Sequence, residues 1–197
     1  DYGQRHRREL EAARAIAEQA ARPLEVISIR LPWGGSSLLD TDIDIPVRRS
    51  PEIMGSQIPS TYVPARNTIF LSFALSYAEA IGAGAIVIGA NQVDYSGYPD
   101  CRPGYYAAWE NLIRTGTVAG VKNPDPVQPA IRIETPLIDL TKAQIIQKGL
   151  AWGVPYELTW SCYSGKERPC GVCDSCVLRA KGFSEAGVTD PTFKGVL

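Results

Sequence analysis

Cys162, Cys170, Cys173 and Cys176 fall within WSCYSGKERPCGVCDSC, residues 160–176, separated by seven, two and two residues. Two successive two-residue gaps let backbone turns converge their sulfurs, and a loop holding Gly165 and Pro169 can return a fourth thiolate to them. Tetrahedral zinc wants that ligand set at that spacing. A pair of disulfides suits a smaller, cysteine-dense chain, which 5 cysteines in 197 residues do not make. An iron–sulfur cluster also takes four thiolates and stands as the next reading. With zinc, four protein sulfurs would fill the tetrahedron and leave no position for water or substrate, so the expected role is structural.

Two other stretches carry chemistry. In VPARNTIF, residues 63–70, Pro64 precedes a helix whose first turn holds Arg66 and Asn67. A cation there opposes the helix dipole unless an anion is its partner, so phosphate binding competes with a solvated arginine. Lys142, directly after the helix-capping Thr141, poses the same alternative. Asp94, Tyr95, Ser96, Tyr98, Asp100 and Arg102 crowd one polar loop. Carboxylates accept paired hydrogen bonds from an amidine-like edge such as guanine's, and aromatic faces stack on a planar ring; Asp100 with Arg102 equally suits a surface ion pair. Cys101 reads as a small buried residue or as a nucleophile, with no base beside it in the sequence. His6, the only histidine, is expected as a solvated residue on the charged face of the first helix, which argues against a Ser-His-Asp hydrolase. GGSS at 34–37 lacks the Lys-Ser/Thr ending of a phosphate loop and reads as a turn.

The elements that must position these residues follow from periodicity. Residues 4–22 place Leu10, Ala13, Ile16, Ala17 and Ala20 at helical spacing, and Pro23 stops that helix. LEVISIRL, residues 24–31, reads as a buried strand, and residues 32–63 as a long loop without a period. A helix over about 65–81, a strand at 85–90, the polar loop at 90–103, a helix over 104–121 and a strand at 130–135 come next. Thr141 and Gln144 have the spacing of a capping box that opens a helix running to Gly149. Helices alternating with buried strands predict an α/β fold, a parallel sheet with helices on both faces. Ligands in such sheets bind at the carboxyl edge, where the 90–103 loop leaves.

Composition narrows the partners. A formal net charge of −1 and a pI near 5.9 lack the basic character of phosphate-driven nucleic-acid binding, and favour a small-molecule partner. No stretch approaches the roughly 18 apolar residues that span a bilayer, and no signal-peptide pattern is visible.

Taken together, DYGQRHRREL at 1–10, VPARNTIFLS at 63–72, GANQVDYSGYPDCRP at 89–103, TPLIDLTKAQII at 135–146 and TWSCYSGKERPCGVCDSC at 159–176 resemble the 7-cyano-7-deazaguanine synthases, the QueC family, a branch of the PP-loop ATP pyrophosphatase superfamily. The resemblance runs in order over nearly the whole chain. It implies an adenine nucleotide alpha hydrolase-like domain over residues 1–155 and a zinc-binding subdomain over 156–197. The implied reaction converts 7-carboxy-7-deazaguanine and ammonia to the nitrile through adenylated acid and amide intermediates, for queuosine biosynthesis. ATP with Mg2+ is the implied co-substrate, and the zinc is structural. On the family's pattern Tyr2, Gly3 and Gln4 fall on the adenine side, Arg66 and Asn67 on the phosphate side, and Arg66 with Lys142 serve catalysis. Asp94, Ser96, Tyr98, Asp100 and Arg102 match the deazaguanine loop.

Two departures accompany the match. The family's strand and Ser-Gly-Gly-x-Asp-Ser loop, which wrap the ATP pyrophosphate, have no counterpart in these residues, so weak ATP binding is expected of the chain as written. Gly104 stands where the family commonly has an acidic residue. A cytoplasmic enzyme without direct nucleic-acid or membrane contact is implied, with a homodimer left open. The rival readings are a PP-loop RNA thiolase and a zinc-ribbon nucleic-acid-binding module.

Overall fold

Helix α1 spans Arg8–Gln19, three turns with Glu9 and Glu11 in the first, where they complement the helix dipole. It starts later than the periodicity of residues 4–22 predicts, because the residues before it are held otherwise in this computed structural model, which describes residues 1–50, 53–54, 57–93 and 97–193. The Arg5 amide donates to the Leu38 carbonyl at 2.9 Å, and its guanidinium reaches the carbonyls of Ser37, Thr41 and Ile43 at 3.0–3.3 Å. His6 is thereby drawn off the helix and buried to 1% exposure, which corrects the expectation of a solvated residue.

LEVISIRL does not form a strand. Its backbone meets Asp1, which donates from its amino group to the Ile27 carbonyl at 3.0 Å and accepts from the Ile29 amide at 2.9 Å. Bonds to one residue do not make a ladder, and Leu24, Val26 and Ile27 stay 38–48% exposed. The described residues of the 32–63 stretch are irregular apart from 53–54, which are helical, and Gly34 and Gly35 take positive φ as a GGSS turn requires. Ser36 and Ser37 beyond them are buried, Ser37 donating its amide to the Ser60 carbonyl at 2.8 Å.

Helix α2, Arg66–Ile81, occupies its predicted position and ends on Gly82 with φ 67°, a left-handed cap. Strands β1, Ala85–Val87, and β2, Arg132–Glu134, pair in parallel with Ile86 opposite Ile133. The strands predicted at 85–90 and 130–135 are therefore present and shorter than read. The predicted helix over 104–121 is two: α3, Pro103–Gly116, and α4, Val118–Lys122. Thr117 breaks it with extended φ/ψ, then caps α4 by accepting the Gly120 amide at 2.9 Å. Helix α5, Lys142–Ala151, opens with the complete Thr141–Gln144 capping box. Helix α6, Asp174–Glu185, starts directly after Cys173, contains Cys176, and has no counterpart in the periodicity reading.

The chain forms two compact units, residues 1–64 with 141–197, and residues 65–140. In the second, Leu71 and Leu75 of α2, Ile86 and Ile133 of the strands, and Tyr106, Trp109 and Ile113 of α3 share one core. In the first, α5 packs on α6 so closely that a Cβ on Gly182 would stand 2.8 Å from the Lys142 Cβ. Tyr156 closes that pair from below, its hydroxyl donating to the carbonyls of Ile145 and Ile146 at 3.1 and 3.3 Å, with Gly149 directly under the ring. Among the described residues no helix is long and apolar enough to cross a membrane.

Gly120 gives a test of this packing. A Cβ there would lie 2.2 Å from the Ile113 carbonyl oxygen, whereas one on Gly104 meets nothing within 4 Å. Gly120→Ala is expected to destabilise by about 1–3 kcal/mol, and Gly104→Ala to be neutral or to stabilise by about 0.5–1 kcal/mol. Urea unfolding midpoints of the two variants check the opposite signs.

Candidate functional site

The four C-terminal sulfurs converge. Those of Cys162, Cys170, Cys173 and Cys176 all lie within 4.8 Å of one another, and three of the residues are 1% exposed. Local chemistry explains how. Gly165 and Gly171 adopt φ of 68° and 72°, turning the chain twice between Cys162 and Cys173. Cys173 then sits at the N-cap of α6 and Cys176 in its first turn. Backbone amides point at the sulfurs: Ser164 and Cys170 donate to Cys162 Sγ at 3.4 and 3.3 Å, and Cys173 to Cys170 Sγ at 3.3 Å. The frame is braced from outside by an antiparallel bridge between Val47 and Cys173 and by Arg49, which forks onto the Asp174 carboxylate.

All four cysteines are free thiols, with Cys170 Sγ 4.0 Å from Cys176 Sγ, and no disulfide joins them. Sulfurs bound to zinc at about 2.3 Å in a tetrahedron stand roughly 3.8 Å from each other, which this cluster matches. Without a cation the set cannot ionise together. Hydrogen bonds from the thiols of Cys173 and Cys176 push Cys162 well below an ordinary thiol, and the same bonds push those two up. A zinc ion would relieve that conflict by taking all four as thiolates. His6 and Tyr163 close one side, ring centroids 6.0 Å apart; neither His6 nitrogen has a hydrogen-bond partner among the described residues.

The second group lies in the 65–140 unit. Asn67, 7% exposed, donates its side-chain amide to the Asp100 carbonyl at 3.2 Å and to Cys101 Sγ at 3.6 Å. Its backbone N–H points to Asp100 Oδ2 at 3.4 Å. Tyr106 of α3 donates to the same Asp100 carbonyl at 3.1 Å. The structure thus brings the predicted phosphate-side residue Asn67 against the predicted substrate-loop residue Asp100. Asp100 is 6% exposed, and its Oδ1 has no partner among the described residues. Arg66, the first residue of α2, lies over the Phe70 ring at 5.8 Å. Tyr98 is half-buried two residues before Asp100, and Arg102 is exposed at the N-cap of α3. Asp100 and Arg102 form no ion pair among the described residues. Asp94, Tyr95 and Ser96 lie outside the described residues. Burial, and then the Asp100 charge, raise the Cys101 thiol above its ordinary range, against a smaller lowering by Arg66 and Asn67.

The remaining predicted residues belong to the other unit. Tyr2 and Gln4 are buried and bonded together, the Tyr2 amide donating to Gln4 Oε1 at 3.0 Å. Gly3 between them is exposed with φ 79°. Lys142 opens α5 and lines a cavity of about 190 Å³ with Ser161, Ser175 and Arg179. Arg179 was not singled out by sequence. It forks onto Asp190 at 2.6 and 2.9 Å and also bonds Thr159 Oγ1 at 2.8 Å and the Tyr156 carbonyl at 3.2 Å, so its donors serve the fold. Nothing in the spacing around Arg49 or Arg179 announces such roles, since their carboxylate partners are distant in sequence or follow a turn.

The chain matches a family model described as queuosine biosynthesis protein QueC over residues 1–187. It is 55% identical over 193 residues to a 7-cyano-7-deazaguanine synthase of Nostoc punctiforme, covering 97% of this chain and 84% of that protein. A protein of the same name from Trichodesmium erythraeum is 53% identical, with 97% and 85% covered. One from Thermoplasma acidophilum is 51% identical over 191 residues, with 97% and 77% covered.

Two outcomes follow from the geometry. Metal analysis should return about one zinc and no iron per chain, and chelation should raise amide exchange over residues 160–185 before it affects the 65–140 unit. A Cys173→Ser variant that keeps its thermal stability and loses only activity would contradict the structural role. Cys101, buried and with a raised thiol, should resist iodoacetamide near neutral pH until the protein is unfolded, as peptide mapping would show.

Proposed function

The chain belongs to the QueC family, and from that premise we propose that it converts 7-carboxy-7-deazaguanine, ammonia and ATP to 7-cyano-7-deazaguanine, as an ATP-dependent carbon–nitrogen ligase of queuosine biosynthesis. A carboxylate is a poor electrophile. Its oxygen would attack the α-phosphorus of ATP, expelling pyrophosphate and leaving an acyl-adenylate. Ammonia would add to the acyl carbon, AMP would leave, and loss of a proton would give the amide. The amide oxygen would then be adenylated by a second ATP, and departure of AMP with loss of the remaining N–H protons would give the nitrile.

The observation that carries this reading is the junction of Asn67 with Asp100, which sets the start of α2 beside the loop after β1. A helix start with Arg66 suits a polyphosphate, and a buried carboxylate suits the donor edge of a purine-like ring. We assign Arg66, Asn67 and Lys142 to the phosphates and Tyr2, Gly3 and Gln4 to the adenosine. Asp94, Ser96, Tyr98, Asp100 and Arg102 are assigned to the deazaguanine. Arg66 and Lys142 would steady the negative charge that builds on the phosphate as adenylate forms, and magnesium supplied with ATP would screen the rest. No covalent enzyme intermediate is needed, which accords with a Cys101 thiol held protonated. That same property disfavours an RNA thiolase working through Cys101. The zinc takes no part in the chemistry, and reduced thiolates with ATP point to the cytoplasm.

The test is incubation of the full-length protein with 7-carboxy-7-deazaguanine, ammonium and MgATP, followed by mass spectrometry. Nitrile with two AMP released per product is expected. Folded, zinc-loaded protein that yields neither amide nor nitrile would overturn the proposal.

A further inference from the structure

Helix α2 begins on Ala65, a left-handed N-cap with φ 53° and no side-chain acceptor. Its exposed amides need a partner from elsewhere. Asp100, 33 residues on, offers Oδ2 to the Asn67 N–H. The Asn67 side chain is spent in return on the Asp100 carbonyl and on Cys101 Sγ, and Tyr106 takes the same carbonyl from α3. The peptide joining Asp100 to Cys101 is thus held from two helices, with Cys101 sunk in the core that also holds Leu71 and Trp109. Asp100 has almost no freedom to turn.

What remains is Oδ1, buried and without a donor among the described residues. Leaving a carboxylate oxygen so is costly, and a native fold that keeps one has use for it. A divalent cation would want several oxygen ligands, and here the neighbouring carbonyl is already taken by Asn67 and Tyr106. Neutral N–H donors on a planar ring need only the one acceptor, and Tyr98, two residues away, is half-buried against the same core.

We propose that Asn67 is a positioning residue that fixes Asp100, and that Asp100 Oδ1 accepts an N–H from the 2-amino edge of the deazaguanine ring, setting specificity for it. This rests on the function proposed above. Cys101 serves only as the buried acceptor and packing partner of Asn67.

The experiment is calorimetric titration of full-length protein, without ATP, using 7-carboxy-7-deazaguanine and its analogue lacking the 2-amino group. The wild type should prefer the amino compound by about tenfold or more. Asp100→Asn should bring the ratio to within about twofold, and Asn67→Ala should lower it in the same direction. Cys101→Ala should keep it. In turnover, Asp100→Asn should raise KM for the acid and leave KM for ATP unchanged, a split that a merely loosened fold would not give. A wild-type ratio near one overturns the inference whether or not any variant folds, and so does an Asp100→Asn protein that retains the preference. Discrimination by a wild type that makes no nitrile would overturn the proposed reaction and leave this assignment standing. No binding of either compound overturns both.

Discussion

Four sulfurs held within 4.8 Å of one another are the constraint on which the C-terminal part of the first unit depends. Thiolates at that range repel, and backbone amides alone relieve only part of the charge. The chain around them is built to tolerate a closed cation site. Glycines make the turns, backbone amides point at sulfur, and the N-cap and first turn of α6 supply two of the four sulfurs. The bracing from Val47 and Arg49 then ties a distant irregular segment to the same point. A cation held at this point would tie the C-terminal stretch together and couple its folding to metal binding.

The 65–140 unit is organised on the other principle. Its core is apolar and continuous across α2, α3 and the β1–β2 pair, and its polar groups are gathered where the chain leaves β1. That is where open parallel sheets put their ligands. Asp100 caps a helix there with one oxygen, and its other oxygen has no donor among the described residues. The stability of the α2 start and the geometry of the loop are therefore one property.

Features encoded by near neighbours were legible in the sequence. The cysteine spacing, the Thr141–Gln144 box and the centres of β1 and β2 all rest on residues a few positions apart. Where the reading went astray, a distant partner decided the outcome. The branched run at 24–31 looks like a strand, yet a strand exists only by pairing, and Asp1 alone does not pair it. His6 has helical spacing with the residues after it, but the carbonyls around Arg5 hold the preceding chain away from the helix. The Asn67–Asp100 junction spans 33 residues and leaves no periodic trace. Thr117 breaks a helix that propensity alone would have continued, because Gly120 must tuck against the end of α3.

Gly149 and Tyr156 illustrate how such packing shapes a protein's history. A methyl on Gly149 would come 2.1 Å from the tyrosine hydroxyl, so the helix keeps its least favourable residue in order to seat that ring. Neither position is free to drift alone. Alanine at 149 becomes acceptable only in a lineage that has already given up the tyrosine, and that lineage first loses the bonds to Ile145 and Ile146. The two sites change together or remain as they are, and the order of the steps is set by a contact that neither residue type would suggest by itself.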